Sequence, residues 1–179
     1  GDPNGESLCW RQDLFEKHFH RKYKYIPFGS DVPDVSENDE IFKRLGIDKN
    51  GYFLFVGRFI PDKGLHYLIP AFESLNTTKK HVLVGGSPNP SDYEKKLLSS
   101  KDPRIIFAGY VYGDDSLRLM GNAFCYIQPS DVEGLSPVIL NVMYLNTPII
   151  CSNIKENIFA VADTAILFEQ GNVDSLKEA

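Results

Sequence analysis

Gln128-Pro-Ser-Asp-Val-Glu-Gly-Leu-Ser-Pro-Val-Ile-Leu-Asn-Val-Met-Tyr-Leu-Asn-Thr-Pro-Ile-Ile150 is the stretch whose reading decides the fold. It opens on the end of an apolar segment, Phe124-Cys-Tyr-Ile127, and passes through a polar turn, Pro129 to Gly134. Ser136 and Pro137 mark a helix start, since serine is a good N-cap and proline fits the first turn. Val138, Ile139, Val142, Met143 and Leu145 follow at helical spacing. The helix is expected to stop before Asn146-Thr-Pro148, because proline disfavours helix in the residue before it. A strand, Pro148 to Cys151, comes next. A carboxylate, Glu133, and a glycine, Gly134, therefore sit between a strand's C-terminal end and a helix N-terminus. In open α/β sheets that is where ligands bind, and the helix start favours anions.

Working outward, the same alternation repeats. Tyr52 to Val56 reads as an apolar strand ending at Gly57-Arg58, and Leu65, Leu68, Ile69, Phe72 and Leu75 make one helical face. His81 to Val84 is a strand ending at Gly85-Gly86, Tyr93 to Leu98 a helix, Arg104 to Phe107 a strand ending at Gly109, and Ser116 to Met120 a helix. Ala165 to Phe168 reads as a last strand, and the chain ends in what looks like the first turns of another helix. Short, continuously apolar strands between amphipathic helices predict an α/β domain, a doubly wound parallel sheet covered on both faces. Upstream, residues 7–21 read as a helix, Lys24 to Ile26 as a short strand, Pro27 to Asp31 as a turn, and residues 32–39 as a polar loop. Ile41 to Leu45 reads as a short helix closed by Gly46. Residues 1–23 are assigned to an inter-domain helix or linker and 24–179 to the α/β domain. Gly1 to Gly5 and the abrupt end suggest a piece of a longer protein.

At 179 residues, 42% hydrophobic and 24% charged, the chain has the make-up of one globular domain. Its net charge of −5 argues against nucleic acid as the main partner, which needs a basic face. Cys9, Cys125 and Cys151 form no C-x-x-C pair and read as reduced core thiols, which suits a cytoplasmic protein. His18 and His20 read as surface residues of a basic helix. No apolar run reaches the length of a membrane span. Peripheral contact with the inner face of a membrane stays open.

Three loops follow strand ends and should meet on one rim of the sheet. Gly57-Arg-Phe-Ile-Pro-Asp-Lys-Gly64 offers a small backbone and two cations. Arg58 can grip phosphate oxygens bidentately and Lys63 adds a point charge. Equally, Lys63 could be a solvated helix-start lysine and Arg58 an ion-pair partner. Gly85-Gly-Ser-Pro88 permits close backbone approach or an ordinary turn. Ser130 to Ser136 is the third loop. Asp131-Val-Glu133 could hold a divalent cation or be a solvated turn, and there is no D-x-D. Neither a P-loop nor a dinucleotide fingerprint is present.

Taken together, these blocks resemble the glycosyltransferases of family 4, in their C-terminal, nucleotide-sugar-binding domain. The resemblance spans nearly the whole chain. It is carried by Ile26-Pro-Phe-Gly-Ser-Asp31, by Phe55-Val-Gly-Arg-Phe59 with Lys63-Gly64, and by Val84-Gly-Gly86 and Phe107-Ala-Gly109. The most specific block is Pro129-Ser-x-x-Glu133-Gly134 followed by Pro148-Ile-Ile150. It implies a Rossmann-like domain, one half of a two-domain GT-B enzyme, with an acceptor-binding N-terminal domain elsewhere and this piece inactive alone. The implied reaction transfers a hexose from a nucleotide diphosphate sugar, such as a UDP- or GDP-hexose, with retention and without a bound metal or cofactor. The acceptor would be a saccharide or lipid-linked, in bacterial polysaccharide assembly. By the resemblance, Arg58 and Lys63 bind the diphosphate and Glu133 the sugar hydroxyls. Gly57, Gly85, Ser130, Gly134, Leu135 and Ser136 line the donor site, and Gly109, Tyr110 and Val111 lie near the base. The family's Glu, seven residues, Glu block departs here: its second position is Asn141, which would weaken or alter ribose binding. Asn146 stands where the family commonly has glycine. Two other readings are a non-catalytic nucleotide-sugar-binding module and a sugar-nucleotide epimerase of GT-B fold. The V-G-R…K-G and S-x-x-E-G blocks fit the transferases better than the epimerases.

Overall fold

The computed structural model describes residues 16–22, 29–30, 32–33 and 38–179. Of the helix expected over 7–21, residues 16–19 are helical and end at His20, whose φ is 53°. The strand at Lys24–Ile26 and most of the turn and acidic loop after it lie outside the described residues.

Tyr52-Phe-Leu-Phe-Val-Gly57 forms β1 because its aromatic and β-branched residues favour a pleated surface, and both sides of that surface are covered. Tyr52 and Leu54 face one side and Phe55 the other, all almost fully buried. The remaining strands follow suit: β2 (Lys80–Gly85), β3 (Ile105–Gly109), β4 (Cys125–Gln128), β5 (Ile149–Ser152) and β6 (Ile166–Phe168). They form one six-stranded sheet in the order β3-β2-β1-β4-β5-β6, with every pair parallel.

The connecting helices are α1 (Glu40–Leu45), α2 (Leu65–Glu73), α3 (Asp92–Leu98), α4 (Gly113–Gly121), α5 (Pro137–Tyr144), α6 (Lys155–Val161) and α7 (Val173–Glu178). Ile41, Leu119, Ile139, Val142 and Val161, from α1, α4, α5 and α6, pack with Leu54, Val82, Tyr126 and Cys151 on one face. Leu65, Leu68, Phe72, Leu97 and Leu176, from α2, α3 and α7, pack with Phe55, Leu83, Ile127 and Ile150 on the other. Fully burying one such side chain contributes about 1.5–3 kcal/mol, so the two layers supply the fold's main stabilisation.

The doubly wound reading holds. α5 starts on Ser136 and Pro137 and ends at Tyr144. Asn146 has φ 56°, a left-handed conformation that asparagine tolerates, so it serves the helix end where glycine would otherwise be favoured. Two elements were missed. Lys155–Val161 carries its apolar residues in one run, Ile158 to Val161, without the spacing that announces a helix, and Pro61–Lys63 is a single 3₁₀ turn. Cys125 and Cys151 are free and buried, and burial pushes both thiols up to about 12.

Candidate functional site

The strand order reverses between β1 and β4, so the loops after these two strands flank one crevice. They are tied together by backbone: Asp131 N–H donates to Asp62 C=O at 2.8 Å. Gly64 makes the close approach possible. Its φ is +69°, and a Cβ there would stand 2.1 Å from the Pro129 carbonyl oxygen. Tyr67, on the first turn of α2, donates its hydroxyl to Pro129 C=O and lies 3.1 Å from Asp131 Oδ1. Burial, with the Asp131 charge second, raises the Tyr67 hydroxyl, so it stays protonated and donates.

At the centre, Lys63 Nζ donates to Glu133 Oε1 at 2.5 Å. The same oxygen accepts from Gln128 Nε2 at 2.5 Å and from Ser130 Oγ at 2.6 Å. Glu133 is 8% exposed and Lys63 half-buried, so the carboxylate keeps its charge out of water by gathering donors. Behind it runs a buried chain of hydrogen bonds. Tyr126 donates to Gln128 Oε1, Ser152 Oγ donates to Ser130 C=O at 2.5 Å, and Asn157 Nδ2 donates to Ser152 Oγ at 2.9 Å. Burial first, and the Glu133 charge next, raise the Tyr126 hydroxyl. Tyr126, Gln128, Ser152 and Asn157 were not singled out in the sequence. The one legible signal is that Gln128 and Ser152 are polar residues at the ends of otherwise apolar strands, and nothing comparable marks Tyr126 or Asn157.

Arg58 is exposed and makes no hydrogen bond or ion pair among the described residues. Lys63 is thus the paired cation and Arg58 the free one, the reverse of the bland alternative. Gly134 is exposed, Leu135 and Ser136 are half-buried, and the Ser136 side chain makes no capping hydrogen bond to the α5 N-terminus. Gly57 lies at the end of β1. Gly85 packs on it so tightly that a Cβ would meet Gly57 C=O at 1.8 Å. Gly109 and Tyr110 are exposed at the end of β3, and Tyr110 donates its hydroxyl to Gly86 C=O at 2.6 Å.

The structure bears on three further readings. Ser130 is fully buried, and its hydroxyl donates to Glu133 Oε1 rather than facing the open rim. The Val111 side chain belongs to the core, which leaves its backbone alone for contact. Asp131 and Glu133 do not converge as a cation pair: Asp131 Oδ1 meets Tyr67 and Gln170 Nε2, at 3.1 Å each, while Glu133 takes Lys63. Asn141, on α5, accepts from Ser30 Oγ at 2.8 Å, tying the helix to the segment before α1. His18 and His20 are exposed.

A doubly wound sheet with a cation–carboxylate pair at its switch point is the frame of a Rossmann-like ligand-binding domain. The chain belongs to the family Glycosyl transferases group 1, which residues 37–179 match. It is 31% identical over 158 residues to the capsular polysaccharide biosynthesis glycosyltransferase CapH of Staphylococcus aureus, covering 84% of this chain and 42% of CapH. It is 29% identical over 136 residues to a teichuronic acid biosynthesis glycosyltransferase, TuaC, named as putative, of Bacillus subtilis (strain 168), covering 72% and 33%. The chain therefore spans well under half the length of these relatives. Among solved structures it resembles sucrose-phosphate synthase from Thermosynechococcus elongatus (TM-score 0.76, 21% identity, 94% of this chain and 46% of that one). It also resembles Anabaena HepE in complex with UDP-glucose (TM-score 0.70, 23% identity, 78% and 40%). No helix among the described residues is long and apolar enough to cross a membrane.

Proposed function

We propose that this chain is the donor-binding, C-terminal half of a retaining, metal-independent family 4 glycosyltransferase of GT-B fold. Residues 24–179 form the donor domain and residues 1–23 lead in from the acceptor-binding half. The observation that carries this reading is the Lys63–Glu133 pair, seated on a buried hydrogen-bond network at the switch point, with Arg58 exposed on the same loop as Lys63. A nucleotide diphosphate sugar laid along the rim would place its diphosphate between Arg58, Lys63 and the uncapped start of α5. Its sugar hydroxyls would donate to Glu133, and its base would lie toward Gly109 and Tyr110.

Negative charge grows on the diphosphate as the glycosidic bond breaks. Arg58 and Lys63 stabilise that charge most in the transition state, which is the work a metal ion would otherwise do. Glu133 orients the sugar, and Gln128 and Ser130 orient Glu133. The relatives' names, capsular polysaccharide and teichuronic acid biosynthesis, support a place in bacterial polysaccharide assembly; the acceptor of this reading is a saccharide or is lipid-linked. Calorimetric titration of the chain with UDP, GDP and ADP, then their hexose conjugates, tests the reading. Binding that weakens in Arg58→Ala and Lys63→Ala is expected, and binding indifferent to both would sink the diphosphate assignment.

The second reading, a binding module without transfer, draws on Asn141, whose Oδ1 is already engaged by Ser30. Donor binding without sugar transfer by the intact protein would favour it.

A further inference from the structure

Beyond the Lys63–Glu133 cluster, at the ends of β2 and β3, lies a second open pocket of about 320 Å³. Phe59, Gly85, Gly86, Glu94, Gly109 and Tyr110 are among its walls. Glu94 is 4% exposed, a carboxylate almost wholly withdrawn from water. Its Oε1 accepts the Ser87 backbone N–H at 2.8 Å. Its Oε2 has no hydrogen bond or ion pair among the described residues. The buried orphan polar atoms are both on His81, so Oε2 reaches open space, and the space beside it is this pocket. A carboxylate oxygen held in such a place stabilises a ligand with N–H donors and repels one with acceptors. Tyr110 adds an aromatic face at the same pocket, fixed by its hydrogen bond to Gly86 C=O and stacked on Tyr112 at 5.7 Å and 8°.

The pocket stands two to three strands from the Glu133 loop across β1, about 10–15 Å by the usual strand spacing, within the span of an extended nucleoside diphosphate. We propose that Glu94 selects the donor's base, and that the base is guanine. Guanine alone among the common bases presents two adjacent donors, N1–H and the 2-amino group, that can converge on the two lone pairs of the one free oxygen, Oε2. Adenine and cytosine set an acceptor nitrogen beside their amino groups, and uracil flanks its single N–H with two carbonyls. The donor class is therefore a GDP-sugar. This assignment rests on the donor-binding reading above.

The test titrates the chain and its Glu94→Gln variant with GDP, IDP, UDP and ADP, with thermal unfolding of both proteins as a control. Glutamine keeps the acceptor for Ser87 but turns the other atom into a donor. The wild-type chain should bind GDP about tenfold or more tighter than UDP or ADP, and tighter than IDP, which lacks the 2-amino group. In Glu94→Gln, GDP should weaken about tenfold to a hundredfold and lose its lead over IDP, while UDP and ADP stay within about twofold. UDP or ADP binding as tightly as GDP overturns the base assignment and leaves the donor-binding reading intact. Equal weakening of all four nucleotides assigns Glu94 to holding the Ser87 loop and overturns its selective role. No binding by any nucleotide overturns both.

Discussion

Two titratable groups are buried in the same sheet, Glu133 at its C-terminal rim and His81 near the start of β2, and their surroundings are opposite. Glu133 Oε1 gathers three donors, from Lys63, Gln128 and Ser130. His81 is fully buried between the Phe53 and Phe72 rings, and neither ring nitrogen has a hydrogen-bond partner. His81 sits within the sheet among aromatic rings with no spare donor or acceptor in reach, so its imidazole stays neutral. At the rim the chain turns out of the sheet, and loops far apart in sequence converge with donors to spare. A charge can be kept at the second place and not at the first.

His81 offers the largest effect by which to break that contrast. Burial lowers its pKa from 6.5 to about 3. Between those values the unfolded chain holds a proton that the folded chain refuses. The stability is therefore complete above about pH 6.5 and is lost as pH falls toward 3. The full term is about 5 kcal/mol, of which about 2 kcal/mol should be gone by pH 5. His81→Leu should flatten that part of the profile in urea unfolding at pH 7 and pH 5. An unchanged slope would show that His81 is protonated in the fold.

Next is Lys63→Ala, which strips a mostly buried carboxylate of its cation. Stability should fall by about 3 kcal/mol, and turnover of the intact enzyme on the order of tenfold to a thousandfold. Arg58→Ala should slow turnover over the same range without moving the unfolding midpoint, because Arg58 is exposed and unpaired. Matched denaturation and kinetic measurements separate the two. If Arg58→Ala destabilises as much as Lys63→Ala, the division between paired and free cation fails.

Gly64→Ala is a smaller wedge. Its Cβ would collide with Pro129 C=O from a left-handed backbone, parting the two rim loops at about 2–3 kcal/mol. Denaturant titration reads the loss, and an unaltered midpoint would mean the loops are not stapled there. Asn141→Glu should have the smallest effect: a carboxylate still accepts from Ser30 and should tighten nucleotide binding by about tenfold or less. Weaker binding would show that the Ser30–Asn141 contact is an adapted part of the site.

Most of the framework was legible because it follows from local rules. Apolar runs such as Tyr52 to Val56 gave strands, Ser136-Pro137 and Asn146 bounded α5, and Gly57, Gly85 and Gly109 closed their strands as expected. α6 escaped because Lys155–Val161 buries little beyond Asn157 and Val161, so its pattern is faint. At the site, residue types were readable and partnerships were not. Lys63 and Glu133 are 70 residues apart, and nothing in either loop announces the other. Ser130 was placed at the donor site by the family resemblance of its loop, which says nothing of its burial. Here β5 and α6 cover it through Ser152 and Asn157.

By itself, then, the sequence determined the alternation of strands and helices, the two-sided burial of the sheet and the three loops that share its rim. Periodicity and turn chemistry act over a few residues and are written in order along the chain. Tertiary structure alone decided which cation meets Glu133, which polar residues stand behind it, and that Glu94 faces a pocket while His81 faces only rings. Those outcomes depend on strand order and on which donors remain after the ladders are filled, and both are settled only when distant segments pack.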